Sequence, residues 1–192
     1  MRYFLFLYVF FTALLVNAQQ DDPLDDLYNL EPRTADCLGA VDLPEKLGPV
    51  IGNNKIGAKY EIKKQKERVP YMFAWEHNVV WYKFTAEKDG LLHLLIIPED
   101  PSENFDFMIY GADGPWFCSD LDEYLNSPLT TNVSSNPGVT GLSDLGTEPL
   151  VTESSSNTFS QPLKVQNGIT YYLVIDSPDG TNSGHSIERE IK

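Results

Sequence analysis

The sequence predicts an all-β fold, an antiparallel β-sandwich, on three observations. Apolar residues recur with the two-residue period of strands, helical windows are nearly absent, and 13 glycines and 13 prolines interrupt the intervals in which a helix would grow. With 192 residues, 42% of them hydrophobic and 12% aromatic, the chain can fill one ordinary core but not two large ones. One sandwich domain over residues 34–192 is expected.

The chain opens MRYFLFLYVFFTALLVNAQQDD, with a single early positive charge at Arg2, an apolar run from Tyr3 to Val16, and compact residues at Val16 and Ala18. These are the marks of a signal peptide over residues 1–18, cut after Ala18. The run is shorter than the ~20 residues a bilayer-spanning helix needs, and no second run of that length follows. The expected product is therefore secreted, into the periplasm or the extracellular space, with no membrane span after cleavage. Residues 19–33 are acidic, contain two prolines and have little apolar periodicity, which suits a flexible leader.

Within the domain, residues 37–41, 60–62, 79–86, 91–97, 105–110, 163–165, 171–175 and 186–191 carry strand patterns. Turn-forming pairs recur at Asp89-Gly90, Asp113-Gly114, Asn136-Pro137, Asn167-Gly168 and Asp179-Gly180. In the first strong run, Val80, Tyr82, Phe84 and Ala86 share one face while Trp81, Lys83 and Thr85 share the other, so one face is core and the other mixed. The next run, Leu91 to Ile97, is apolar on both faces, as in a central strand covered on both sides. Asp89-Gly90 between them predicts a hairpin whose loop draws a positive φ from Gly90. The Ser/Thr-rich interval 142–161 is expected to be an exposed loop.

Cys37 and Cys118 are the chain's two cysteines. In an exported protein an even pair joins, and a bridge closing a loop of about 80 residues contributes about 4 kcal/mol through the unfolded state. Neither cysteine sits in a CxxC or beside a histidine, as a metal or nucleophile site would ask. The formal charge of -14, one unit more negative once Arg2 leaves with the signal, repels phosphate backbones and anionic headgroups, so nucleic acid is not an expected partner.

The motifs of catalysis do not assemble. Gly141-Leu142-Ser143-Asp144-Leu145-Gly146 has one residue too many for a nucleophile elbow. Gly48, Gly52 and Gly57 are not followed by the Lys-Ser or Lys-Thr of a phosphate-binding loop, and no histidine lies in an HExxH spacing. His93 reads as a core or edge histidine and His77, beside Glu76, as part of a surface loop.

Several segments, in order, resemble a known module: Asp36-Cys37-Leu38-Gly39-Ala40; Val80-Trp81-Tyr82-Lys83-Phe84-Thr85-Ala86 with Asp89-Gly90; Asn104-Phe105-Asp106-Phe107-Met108-Ile109-Tyr110; Phe117-Cys118-Ser119; Thr140-Gly141-Leu142; and Asn167 to Asp176. Together they look like the β-sandwich repeat of secreted and surface proteins of Bacteroidetes. That repeat is itself similar to jelly-roll pre-peptidase C-terminal and CUB-like modules. The resemblance implies a jelly-roll-like sandwich and a non-catalytic module for adhesion or assembly, binding a protein or glycan at the cell surface. The chain departs from the pattern at Asn104, where relatives often carry an acid, and at residues 125–128, where they often carry an arginine.

Two constellations bear on binding. Asp106 opens one strand while Asp176 and Asp179 flank the turn after another; in related sandwiches such loop acids hold calcium, and the competing and favoured role is turn shaping. Trp75, Trp116 and Phe117 lie in or beside loops where a sugar ring or peptide could stack, as in a carbohydrate-binding module, although filling the open ends of a sandwich is the commoner use of such rings.

Overall fold

The computed structural model describes residues 32–50, 57, 61–62, 69–112, 114–121, 127–179 and 183–192. The expected signal peptide and nearly all of the expected leader lie outside these residues; of the leader, Pro32 and Arg33 already belong to a 3-10 turn, Pro32–Ala35. In chain order the strands are β1 (Val41–Asp42), β2 (Lys46–Val50), β3 (Val80–Thr85), β4 (Gly90–Pro98), β5 (Asp106–Gly111), β6 (Thr130–Asn132), β7 (Thr140–Leu142), β8 (Leu150–Val151), β9 (Phe159–Ser160), β10 (Leu163–Val165), β11 (Thr170–Asp176) and β12 (His185–Ile191). One turn of α-helix, Phe117–Asp120, accompanies them.

The strands form two sheets, one ordered β1-β3-β11-β5-β6-β8 and the other β2-β12-β4-β7-β9 with β10 added beside β4. The all-β sandwich read from the sequence is what the chain builds. Its sheets are mixed, because β1–β3, β6–β8 and β7–β9 run parallel while the other pairs run antiparallel.

The core between the sheets follows from strand alternation. Val80, Tyr82 and Phe84 of β3, Phe107 and Ile109 of β5, and Leu173 and Ile175 of β11 face Leu92, Leu94 and Ile96 of β4 and Ile187 of β12. Each such side chain, fully buried, stabilises the fold by about 1.5–3 kcal/mol before entropy is counted.

The opposite faces of the two sheets differ. On the first sheet, Trp81, Met108, Tyr110 and Val174 pack under a second apolar cluster made by Phe73, Val79, Phe117 and the two cysteines. On the second sheet, alternate residues of β4 are only partly covered, and Leu91 is 45% exposed. The expectation that Leu91 to Ile97 is covered on both faces is therefore corrected. The doubly covered strands are β3, β5 and β11, because the long connections drape over their sheet.

Three further expectations change. β3 and β4 are not a hairpin: they lie in different sheets, β3 between β1 and β11, β4 between β12 and β7. The chain turns a corner at Asp89-Gly90 instead, and Gly90 does not have the expected positive φ; it is needed for space, since a Cβ there would collide with the carbonyl of Lys192, whose backbone pairs with Leu91. Residues 37–39 form a 3-10 turn, with only Val41–Asp42 extended, while Glu61 and Ile62 lie in a bend and Tyr60 falls outside the described residues.

The third change concerns residues 142–161, which are not one exposed loop. From β6 the chain alternates between sheets, β6 then β7 then β8 then β9, so that β8 stacks parallel on β6 and β9 on β7. Polar side chains bind these turns together. Asn132 Nδ2 donates to the carbonyls of Asn157 and Thr158, Thr140 Oγ1 donates to Thr158, and Ser160 Oγ donates to Thr131 at 2.6 Å. Val151 and Ser160 are wholly buried.

Candidate functional site

The register of β11 against β5 sets Asp176 directly opposite Asp106 at the end of the first sheet. Like charges facing each other across a ladder oppose folding, so this pair must be held by its surroundings. The surroundings are unequal. Asp176 Oδ1 accepts the backbone N–H of His77 at 3.0 Å and of Asn78 at 2.8 Å, and its Oδ2 lies 2.8 Å from His77 Nδ1. Asp106 has a single donor among the described residues, the Asn104 Nδ2 at a long 3.4 Å.

The electrostatics follow the same order. Burial, reinforced by the Asp176 charge beside it, pushes the Asp106 carboxyl up to about 8; the Asn104 bond opposes this while Glu153 and Asp179 add to it. Burial also raises the Asp176 carboxyl, against the lowering effect of its His77 and Asn78 contacts. Behind them, Glu76 accepts the Ile62 N–H at 2.7 Å, and its carboxyl is pushed up to about 8 by burial, with the charges of Glu61 and Asp176 acting in the same sense.

Both aspartates open into a cavity of about 610 Å³. Its walls come from the connection before β3, with Phe73, Trp75 and His77; from Asn104 before β5; and from Val133, Glu153 and Asp179 in the loops around it. Trp75 is 51% exposed. The cavity thus joins an aromatic rim to an acidic floor.

The expected site residues can now be placed. Asp106, Asp176, Asp179 and Trp75 share this cavity. Trp116 is 70% exposed but does not line it. Phe117 is buried, its ring stacked 4.6 Å from Tyr172 and tilted 5.7 Å from Tyr110, so it serves packing rather than an open surface. Cys37 and Cys118 are joined, with Cα atoms 5.5 Å apart and 81 positions apart in sequence. Calcium takes six to eight oxygen ligands, yet among the described residues no group of three or more His, Cys, Asp or Glu is placed to hold a metal ion, so the geometry lends the calcium expectation no support.

His77, Glu76, Asn104 and Glu153 were not legible as site residues. The polar triplet Glu76-His77-Asn78 immediately before an apolar strand was the available signal, but its partner Asp176 is 99 positions away from His77. Comparison with protein-family models and with curated protein sequences finds no match.

Proposed function

We propose that this chain is an exported, non-catalytic binding module that attaches to a protein or glycan at the cell surface through the cavity at the Trp75 end of its sandwich. The observation that carries the reading is the convergence of Trp75, Asp106, Asp176 and Asp179 on one cavity of about 610 Å³, large enough for a compact organic group. Export is supported by the apolar N-terminal run and by the Cys37–Cys118 bridge, which forms in oxidising compartments. Among the described residues no helix is long and apolar enough to cross a membrane.

A binding role suits this arrangement better than turnover. Carboxylate catalysis needs two acids free to act on a bound substrate. Asp176 is instead engaged by three donors from residues 77 and 78.

Tryptophan fluorescence, followed while a glycan and peptide panel is titrated in, tests the proposal. A saturable change is expected in the wild-type protein and in Trp116→Ala, with binding weakened at least about tenfold in Trp75→Ala. A panel that gives no response, or a response carried by Trp116 instead, overturns it. The glycan reading is favoured specifically by Trp75, since sugar rings stack on exposed indoles while carboxylates accept their hydroxyls.

A further inference from the structure

Among the described residues the cavity floor is short of donors. Asp106 is 9% exposed, and its one donor among the described residues is Asn104 Nδ2 at 3.4 Å; Asn104, itself 8% exposed and on the cavity wall, has an Oδ1 with no hydrogen-bond partner among them. Buried polar atoms are normally satisfied, and an unmet one costs about 1–3 kcal/mol, so the unpartnered Asn104 Oδ1 beside an Asp106 held by one long bond marks a place where something is to be bound. Asp176 is the internal control: also buried and directly across the ladder, it has its three donors from within the chain.

The missing partner must be a donor, and its charge is set by the walls. Asp106, Glu153, Asp176 and Asp179 line the cavity; among the described residues neither lysine nor arginine does, and the basic residue that does, His77, is engaged by Asp176. Ionised carboxyls here disfavour an anion, and a neutral hydroxyl would supply a donor without offsetting their repulsion; a cation does both, and displaces the proton that Asp106 otherwise holds up to about pH 8. A bare divalent ion would need a set of ligands that the described residues do not offer. An ammonium group supplies up to three donors and a positive charge together. The rest of the cavity fits what such a group is attached to. Phe73, Val133 and the half-exposed Trp75 give apolar contact, and the indole face attracts a cation.

We propose that the cavity binds a primary ammonium group on a compact organic body, the ammonium against Asp106 and the body against Trp75. This deepens the binding reading above and rests on it. The shared chemistry is that of an amino sugar or of a lysine side chain, and paired probes separate these sources.

The experiment is calorimetric titration at constant pH and ionic strength with glucosamine against glucose, and with Nα-acetyl-lysine amide against Nα-acetyl-norleucine amide. In at least one pair the ammonium member is expected to bind about tenfold or more tightly than its uncharged partner. Asp106→Asn should abolish that preference, and a raised melting temperature would show that this variant folds. Trp75→Ala should weaken both members of the pair. Equal binding within both pairs, with sensitivity to Trp75→Ala, overturns the ammonium inference and leaves cavity binding standing. Calcium chloride that displaces the probes and raises the melting temperature also overturns it, in favour of an ion. Failure of all four probes to bind overturns it too, while the wider fluorescence panel judges the binding reading separately.

Discussion

His185 is a polar side chain set inside the core. It is wholly buried, with the edge of Phe105 against it, and its Nε2 lies 2.7 Å from the Tyr82 hydroxyl. Burial pushes the ionisation of Tyr82 upward, so the hydroxyl keeps its proton and donates it to Nε2. Nδ1 then carries the imidazole proton and has no partner among the described residues. Burial also lowers the His185 pKa to about 4 from 6.5. Because the unfolded chain takes up this proton first, the stabilising contribution is complete above about pH 6.5 and is lost as pH falls toward 4, by about 1.4 kcal/mol per pH unit. Denaturant titrations between pH 7 and 4 on wild type and His185→Phe should diverge in slope, and parallel slopes would refute the assignment. Tyr82→Phe should cost about 1–3 kcal/mol at pH 7, because it leaves the second imidazole nitrogen buried without a partner.

Among the strands, the Thr140–Leu142 segment shows how a short element is specified. Gly141 has φ 137°, in the region that favours glycine, and a Cβ there would run into the Leu94 carbonyl of the neighbouring β4. Gly141→Ala is therefore expected to destabilise by about 2 kcal/mol or more, measurable as a lower denaturation midpoint. Gly168→Ala is the comparison: its φ is 78° but open space surrounds it, so only the backbone cost of about 1 kcal/mol applies. Similar losses at the two sites would show that the close approach to β4 carries no weight.

The same elements explain what the sequence could disclose. β3, β4, β5, β11 and β12 were legible because each has six or more residues with hydrophobic alternation that the core enforces. β6 to β9 were not, since two or three residues such as Thr130–Asn132 or Phe159–Ser160 have no period to read. Their order comes from side chains that bond to backbone carbonyls of distant segments, a pairing invisible in a linear chain. The Asp89-Gly90 corner misled for a related reason: a turn signal says that the chain bends, not which sheet it enters. At the site, strand-end aspartates and a loop tryptophan were visible, whereas their grouping with His77 depended on the β5–β11 register.

At the scale of the molecule, pH acts through two opposed sets of groups. Asp106 and Glu76, each raised to about 8, bind protons in the folded state that the unfolded chain has already released. Their stabilising protons are fully held below the unfolded values near 4 and are lost as pH rises toward 8. The charged groups facing Asp106 are Asp176, Glu153 and Asp179, and those facing Glu76 are Glu61 and Asp176; all reinforce this trend, which the Asn104 and Ile62 hydrogen bonds only reduce. Between pH 6.5 and 8, where the His185 contribution no longer changes, the melting temperature should fall, and Asp106→Asn should flatten the fall. A melting temperature that stays level in that window would contradict it. The disulfide acts on the whole chain in a different way, by restricting the unfolded ensemble. Cys37→Ala with Cys118→Ala should lose about 4 kcal/mol in denaturant titration, and mass spectrometry of the unreduced wild type should find no free thiol.

The outermost strands of the two sheets have a consequence for behaviour in crowded solution. β1 and β8 border one sheet and β9 borders the other, each with two residues; β10, beside β4, has three, and β2 at the far border contains Pro49, which has no amide hydrogen to offer. A second chain seeking to extend either layer finds almost no run of open amides on which to crystallise its own backbone. Concentrated samples should therefore resist conversion into fibres so long as these abbreviated margins stay folded.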